Sequence, residues 1–137
     1  MVLLIGATNR PSELDDAAQR RFRKKLYIPL PDSNARKQII KKQLVENLND
    51  LSATQLDEIA QKTEGYSGSD MSNLIAEASL GPIRDIPIEK MRTTAISDVR
   101  AIAYADFVEA LSHVRASVSA SDLESYKSYE RTHGSLK

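Results

Sequence analysis

Hydrophobic positions change their spacing part-way along this 137-residue chain. In the first thirty residues the apolar side chains come in short blocks. Val2, Leu3, Leu4 and Ile5 form a continuous run, which predicts a strand covered on both faces, as in a parallel sheet flanked by helices. Gly6-Ala7-Thr8-Asn9 then places small and polar groups beyond the strand's carboxyl end, where open α/β sheets place their ligands. Arg10-Pro11 predicts a turn or helix start, because the residue before a proline is pushed out of the helical region. Leu14, Ala17 and Ala18 then share one face of a short helix that ends in Arg20-Arg21-Phe22. Lys24 to Ile28 reads as a second strand, with Leu26 and Ile28 on one face and Tyr27 on the other.

Pro29 and Pro31 mark the boundary, and the signals beyond them are helical. Asp32 is a suitable N-cap for a helix from about Ser33 to Asn47 lined by Ile40, Leu44 and Leu48, with a turn from Asn47 to Asp50. Ser52-Ala53-Thr54-Gln55 is a capping-box pattern, followed by a face of Leu56, Ile59, Ala60 and Thr63 that Gly65 ends. Ser67-Gly68-Ser69-Asp70 caps the next helix, with Met71, Leu74, Ile75 and Ala78 inward, and Gly81-Pro82 breaks or kinks it. Arg84 to Ala101 has no sustained period and predicts a partly ordered connection with one helical turn around Glu89 to Met91. Phe107, Ala110, Leu111 and Val114 mark another helix, with Asp106 in its first turn. Ser121-x-x-Glu124 predicts the cap of a last helix bearing Leu123 and Tyr126 and ending at Gly134. Each helix has one apolar stripe, and a small bundle buries such stripes against one another.

Composition narrows the function classes. Charge is balanced at +0, so no global basic field draws the chain to nucleic acid or microtubules, and direct nucleic-acid binding is not expected. Cysteine is absent, which excludes disulfide and thiolate-metal chemistry. His113 and His133 are far apart, without paired metal-ligand spacing, and read as ordinary surface or edge residues. Met71 and Met91 read as core or filler. The opening apolar stretch is too short for a membrane span and lacks a basic flank, so the expectation is an intracellular protein without membrane association.

The run GATNRPSELDDAAQRRF, followed in order by LYIPLPD, EGYSGSD and SLGPIRDI, resembles the second half of an AAA ATPase module of the microtubule-severing (meiotic) group. YIPLPDSNARKQII and SVSASDLESY are most similar to fidgetin-like ATPases, with spastin and katanin next. The likeness runs from Val2 to Gly134. It implies the C-terminal portion of an α/β P-loop NTPase of AAA type. Residues 1–31 would end the large α/β subdomain, 32–115 would form the small helical lid, and 116–137 the C-terminal helix. The phosphate loop G-x-x-x-x-G-K-[ST] and the acidic strand that holds magnesium are not in this sequence; in the family both lie upstream. The chain thus resembles a fragment, inactive alone, of an enzyme that uses ATP or ADP with Mg2+.

Read by itself, Asn9 is a turn former ahead of Arg-Pro, and the run Arg20-Arg21-Phe22-Arg23-Lys24-Lys25 is a solvated basic face or a weak nucleic-acid patch. The resemblance makes Asn9 the polar sensor at a strand tip, orienting water or touching the γ-phosphate. It makes Arg20 and Arg21 arginine fingers reaching a neighbour's ATP, a role suited to a permanently charged, forked guanidinium. Gly68 caps a helix and, in the family's position, lies against adenine or ribose, where the missing side chain admits the nucleotide. Ser69 stands where many relatives have a second sensor arginine, and Ser128-Tyr129-Glu130 where they carry a Trp-Asn pair. The parent would be a homo-hexamer in nucleus or cytoplasm, pulling on a protein such as a tubulin tail or a recombination factor. A helical interaction module without enzymatic activity is the alternative reading.

Overall fold

The computed structural model describes residues 2–45 and 48–135. The chain divides into two compact units. One consists of the described part of Met1–Pro29 and Ser119–Lys137, the other of Leu30–Val118.

The larger unit is helical. Its main elements are α2 (Ser33–Gln43), α3 (Ala53–Lys62), α4 (Gly68–Ser79), the single turn α5 (Gly81–Arg84) and α6 (Tyr104–His113). Helix α4 packs on both α2 and α6, while α3 packs on α2. Three of these helices start on the caps expected of them. Asp32 accepts from Ala35 N–H, Ser52 and Gln55 close a reciprocal box, and Ser67 and Asp70 close another. The two intact inward stripes, Leu56, Ile59, Ala60, Thr63 and Met71, Leu74, Ile75, Ala78, are buried throughout. They meet Ile40 and Leu44 from the α2 side and Phe107 and Ala110 from α6, so one apolar core lies around α4. Thr63 tolerates complete burial because its hydroxyl donates to the Ile59 carbonyl at 2.8 Å. Gly65 follows α3 at φ 82°, the left-handed region that only glycine enters without strain.

The structure alters several expectations here. Asn47, expected as a helix end and turn residue, lies outside the described residues. Helix α2 ends at Gln43 with Leu44 as its cap, so Leu48 falls off the helical stripe and is 70% exposed. Leu48 and Asp50 instead bond through their backbones to Ile102, beside an isolated parallel bridge between Asn49 and Ile102. Met91 is 49% exposed rather than core, because its segment turns at Pro87–Thr94 instead of forming a helix against the bundle. An unforeseen feature is buried Arg36. Its guanidinium donates to the Ala60 carbonyl at 2.7 and 3.2 Å and to the Pro31 carbonyl at 2.7 Å, tying the start of α2 to the end of α3. All three bonds go to backbone carbonyls, and a cation is well placed at a helix carboxyl end.

The smaller unit contains a 3-10 turn at Pro11–Glu13, α1 (Asp16–Arg21) and α7 (Ala120–His133). Asp15 caps α1 through Ala18 N–H at 2.6 Å. Leu14 lies before α1 rather than within it. Helix α7 is capped at Ser119, ahead of the expected Ser121. Ser119 and Asp122 form the box, because Ser119 has the extended backbone an N-cap requires, while Ser121 is already helical. Gly134 ends the helix as expected. The two expected strands are not formed. Val2–Ile5 and Lys24–Ile28 have no ladder, and Val2 and Ile28 are 94% and 87% exposed. A strand exists only by pairing, and no described residue offers these segments a strand partner. Lys25 bonds Ser135 instead, through 2.9 and 3.0 Å contacts, and the rings of Tyr27 and Tyr126 lie 6.4 Å apart.

Candidate functional site

The site residues expected from the sequence fall into two groups, one in each unit. Asn9, Arg20 and Arg21 belong to the smaller unit, Gly68 and Ser69 to the larger.

In the smaller unit, Asn9 sits on a bend and is exposed. Thr8 and Arg10 hold the bend around it: the Arg10 N–H donates to Thr8 Oγ1 at 3.0 Å, and the Arg10 guanidinium pairs with Glu13 at 3.0 Å. The Asn9 amide is left without a hydrogen bond to any described residue. Arg20 and Arg21 form the last turn of α1, where cations complement the helix carboxyl end. Helix α1 is anchored at its start by Asp15 and, behind it, by Gln19 donating to the Leu14 carbonyl at 3.0 Å. Both arginines are exposed, and neither side chain is paired with a described carboxylate. Arg10, by contrast, is committed to Glu13. Two unsatisfied guanidinium groups at the exit of an anchored helix are free to meet an external anion.

In the larger unit, Gly68 and Ser69 begin α4 and are exposed. Ser67 and Asp70 are occupied with the cap, with Asp70 accepting from Ser67 N–H at 2.9 Å and from Ser67 Oγ at 2.8 Å. Asp70 also receives the Ser117 N–H at 3.2 Å, so this one carboxylate joins the start of α4 to the segment after α6. A methyl group added at Gly68 would meet nothing within 4 Å. The first turn of α4 is thus open to its surroundings at Gly68, and the cap fixes its backbone. Changing Ser67 to alanine is expected to cost about 1 kcal/mol of stability, the usual value of a serine N-cap, read as a lower urea midpoint at unchanged slope.

Two buried carboxylates make this unit sensitive to acid. Burial pushes the Asp70 carboxyl up, but the hydrogen bonds from Ser67 and Ser117 outweigh it and hold the group below its usual range. Asp106 is held down chiefly by Arg100, which clamps it with 2.7 Å bonds to both oxygens, and Arg100 is correspondingly raised. Both carboxyls have folded-state values below the unfolded value of about 3.9, so their stabilisation is complete above that pH and disappears as pH falls through the folded-state values. Stability measured by urea unfolding should therefore fall steeply below about pH 4, and Asp106→Asn should flatten that fall.

The remaining candidates are structural. His113 lies 3.5 Å from Glu77, and His133 stacks on Tyr129. No group of three or more histidine, cysteine or acidic side chains among the described residues could hold a metal ion. No described helix is long and apolar enough to cross a membrane.

Comparison with known proteins explains why these two groups share one chain. The AAA+ lid domain family matches residues 53–94, and the Vps4 C terminal oligomerisation domain matches residues 84–134. Spastin of Nematostella vectensis is 46% identical over 98% of this chain, and fidgetin-like protein 1 of Homo sapiens 47% identical over 97%. The chain spans about a fifth of the length of these relatives, 22% and 20%. A crystal structure of the FIGL-1 AAA domain in complex with ADP superposes with a TM-score of 0.90 at 46% identity, over 96% of this chain and 44% of that one. A structure of katanin described for its self-assembly matches with a TM-score of 0.75 at 30% identity, over 87% of this chain and 43% of that one. The chain is an AAA lid and Vps4-type C-terminal region, similar to the corresponding parts of fidgetin-like protein 1, spastin and katanin.

Proposed function

We propose that this chain supplies the sensor, the trans-acting arginines and the nucleotide-covering lid of an ATP-hydrolysing ring enzyme. The observation that carries the reading is the agreement of 96% of the chain with an AAA domain solved with ADP, at a TM-score of 0.90. In that reading the open first turn of α4 at Gly68 receives the adenosine. Asn9, unpaired on its bend, orients the water that attacks the γ-phosphate or touches that phosphate directly. Arg20 and Arg21 act on the ATP of the adjoining subunit, where fixed positive charge stabilises the charge spread over the transferring phosphoryl group. Magnesium would come with the nucleotide and be held by groups outside this chain, as would the phosphates.

Because Ser69 stands at the usual place of a sensor arginine, closure of this lid depends on contacts with adenosine rather than on a guanidinium reaching the γ-phosphate. The chain alone does not hydrolyse ATP. Assembly as a hexamer is supported by the oligomerisation family model and by katanin's self-assembly. Microtubule severing or related remodelling of a protein is supported by the spastin and fidgetin-like relatives. The reading extends to a tubulin tail or a recombination factor as substrate and to work in the nucleus or cytoplasm.

The test uses an exchange protein: human fidgetin-like protein 1 whose matching segment is replaced by residues 2–134 of this chain. Photolabelling with an azido-adenine nucleotide should mark the peptide containing Tyr66 to Met71, and excess ADP should abolish the mark. Labelling confined to other peptides would refute the placement of nucleotide on this lid.

A further inference from the structure

The turn that opens α4 has two faces. Outward it shows Gly68 and Ser69, both exposed, and inward it sets Tyr66 and Asp70, both buried. The inward pair reaches a distant stretch of the chain. The Tyr66 hydroxyl donates to the Val114 carbonyl, and Asp70 accepts the Ser117 N–H at 3.2 Å. Residues 114–118 are the last of the larger unit, between the end of α6 and Ser119, the cap of α7. They form no helix or strand, and Arg115, Ala116 and Ser117 are exposed. Val114 N–H closes the last turn of α6 on Ala110 at 2.9 Å; beyond that bond, Tyr66 and Asp70 supply the hydrogen bonds that tie this segment to the rest of the larger unit among the described residues. Exposed, irregular backbone belongs to the least stable part of a fold, so its order depends on the few bonds that hold it. Here those bonds come from the residues two positions before and two positions after Gly68.

We propose that Tyr66 and Asp70 are positioning residues that couple nucleotide at the Gly68 turn to the order of residues 114–118. Adenosine that fixes the turn also fixes the segment leading to α7, and a loosened segment weakens nucleotide binding. This inference rests on the placement of nucleotide at Gly68 given above. The coupling needs no change of shape. A turn already ordered by its ligand holds both straps still, so the segment has less freedom left to lose, and linkage makes the effect on binding equal in the two directions. The straps are separate from the cap. Ser67 closes on Asp70 within the turn itself, so the bonds to Val114 and Ser117 can be cut while the Ser67–Asp70 box stays in place.

Amide hydrogen exchange of the exchange protein, with and without saturating ADP, tests this at peptides covering 66–72 and 113–119. ADP is expected to slow exchange in both. Tyr66→Phe keeps the ring and removes the hydroxyl, and Ser117→Pro removes the N–H donor. In the double variant, saturating ADP should still slow exchange at 66–72 but no longer at 113–119, and the ADP dissociation constant should rise by about fivefold or more, the lower end of usual coupling between two sites. A response at 113–119 that survives both changes would overturn the inference. So would ADP that slows 66–72 and leaves 113–119 untouched in the unaltered exchange protein, a result that keeps the nucleotide placement. If ADP slows neither peptide, placement and coupling fail together. Bonds with a merely structural role would lower the urea midpoint and leave the ADP response at 113–119 intact, so the midpoint is measured alongside. Should the double variant not fold, Tyr66→Phe alone decides: a reduced ADP response at 113–119 supports the coupling, and an unchanged one overturns it.

Discussion

Replacing Arg20 or Arg21 by alanine in the exchange protein will leave ATP bound by the altered subunit and will slow hydrolysis by about 10³- to 10⁵-fold, the measured worth of arginine fingers. That range corresponds to roughly 4 to 7 kcal/mol of transition-state stabilisation, far beyond an exposed surface charge. These two arginines are exposed and without a described acidic partner, whereas Arg10 is paired with Glu13. The effect must also appear in trans. An Arg20→Ala subunit mixed with one whose phosphate loop is disabled should regain part of the activity that each lacks alone, since an intact loop can then face an intact arginine across a boundary. Ring assembly is followed in parallel by sedimentation. If assembled rings of Arg20→Ala and of Arg21→Ala each lose less than about threefold in turnover, equivalent to roughly 0.7 kcal/mol, the basic run is a solvated face and the finger role is wrong.

The second large effect is expected at Gly81. A Cβ built there would lie 2.1 Å from Asp106 Oδ1 and 2.5 Å from its Cγ, well inside van der Waals contact. Asp106 cannot swing away cheaply. Its carboxylate accepts both Arg100 bonds and also the Ala103 N–H at 2.8 Å, which caps α6. Gly81→Ala therefore forces a choice between overpacking the junction of α5 with α6 and unseating a buried carboxylate from its cation and its cap. Overpacking alone costs about 1 to 3 kcal/mol, and losing the carboxylate's partners adds to it. For a unit of this size, each kcal/mol lowers the melting temperature by about 4 to 8 °C. A fall of less than about 4 °C would mean that the junction relaxes and that the Arg100 clamp is dispensable.

How far the sequence speaks depends on how local the determinant is. Helices α3 and α4 were legible in full because cap, stripe and stop all lie within a dozen neighbouring residues: Ser52 to Gly65, and Ser67 to Gly81. The strands expected at Val2–Ile5 and Lys24–Ile28 depend on partners elsewhere, and their apolar run says only that they suit a buried place. At α7 the expected cap, Ser121-x-x-Glu124, was displaced by Ser119 and Asp122, because backbone geometry decides where a helix starts, and Glu124 is instead paired with Arg131 at 3.4 Å. Arg36 and Arg100 were invisible for a related reason. Each is an unremarkable charge in sequence whose acceptors, Ala60 and Asp106, are defined by packing. For the candidate site, residue identities came from motif order, whereas composition alone gave only turns, caps and a basic face. The structure adds which of those groups are free: Asn9, Arg20 and Arg21 are uncommitted, while Asp70, Ser67 and Arg10 are in use.

Steady-state ATP hydrolysis by the exchange protein tests the central claim most directly, with the same protein carrying Asn9→Ala beside it. If residues 2–134 serve as sensor, finger and lid, the exchange protein will hydrolyse ATP within about tenfold of its parent. Asn9→Ala will then bind nucleotide but turn it over about 10²-fold or more slowly, as when one positioned polar group is removed from a transition state. Hydrolysis at the parent's rate with Asn9→Ala, or none in a correctly assembled exchange protein, would contradict the account.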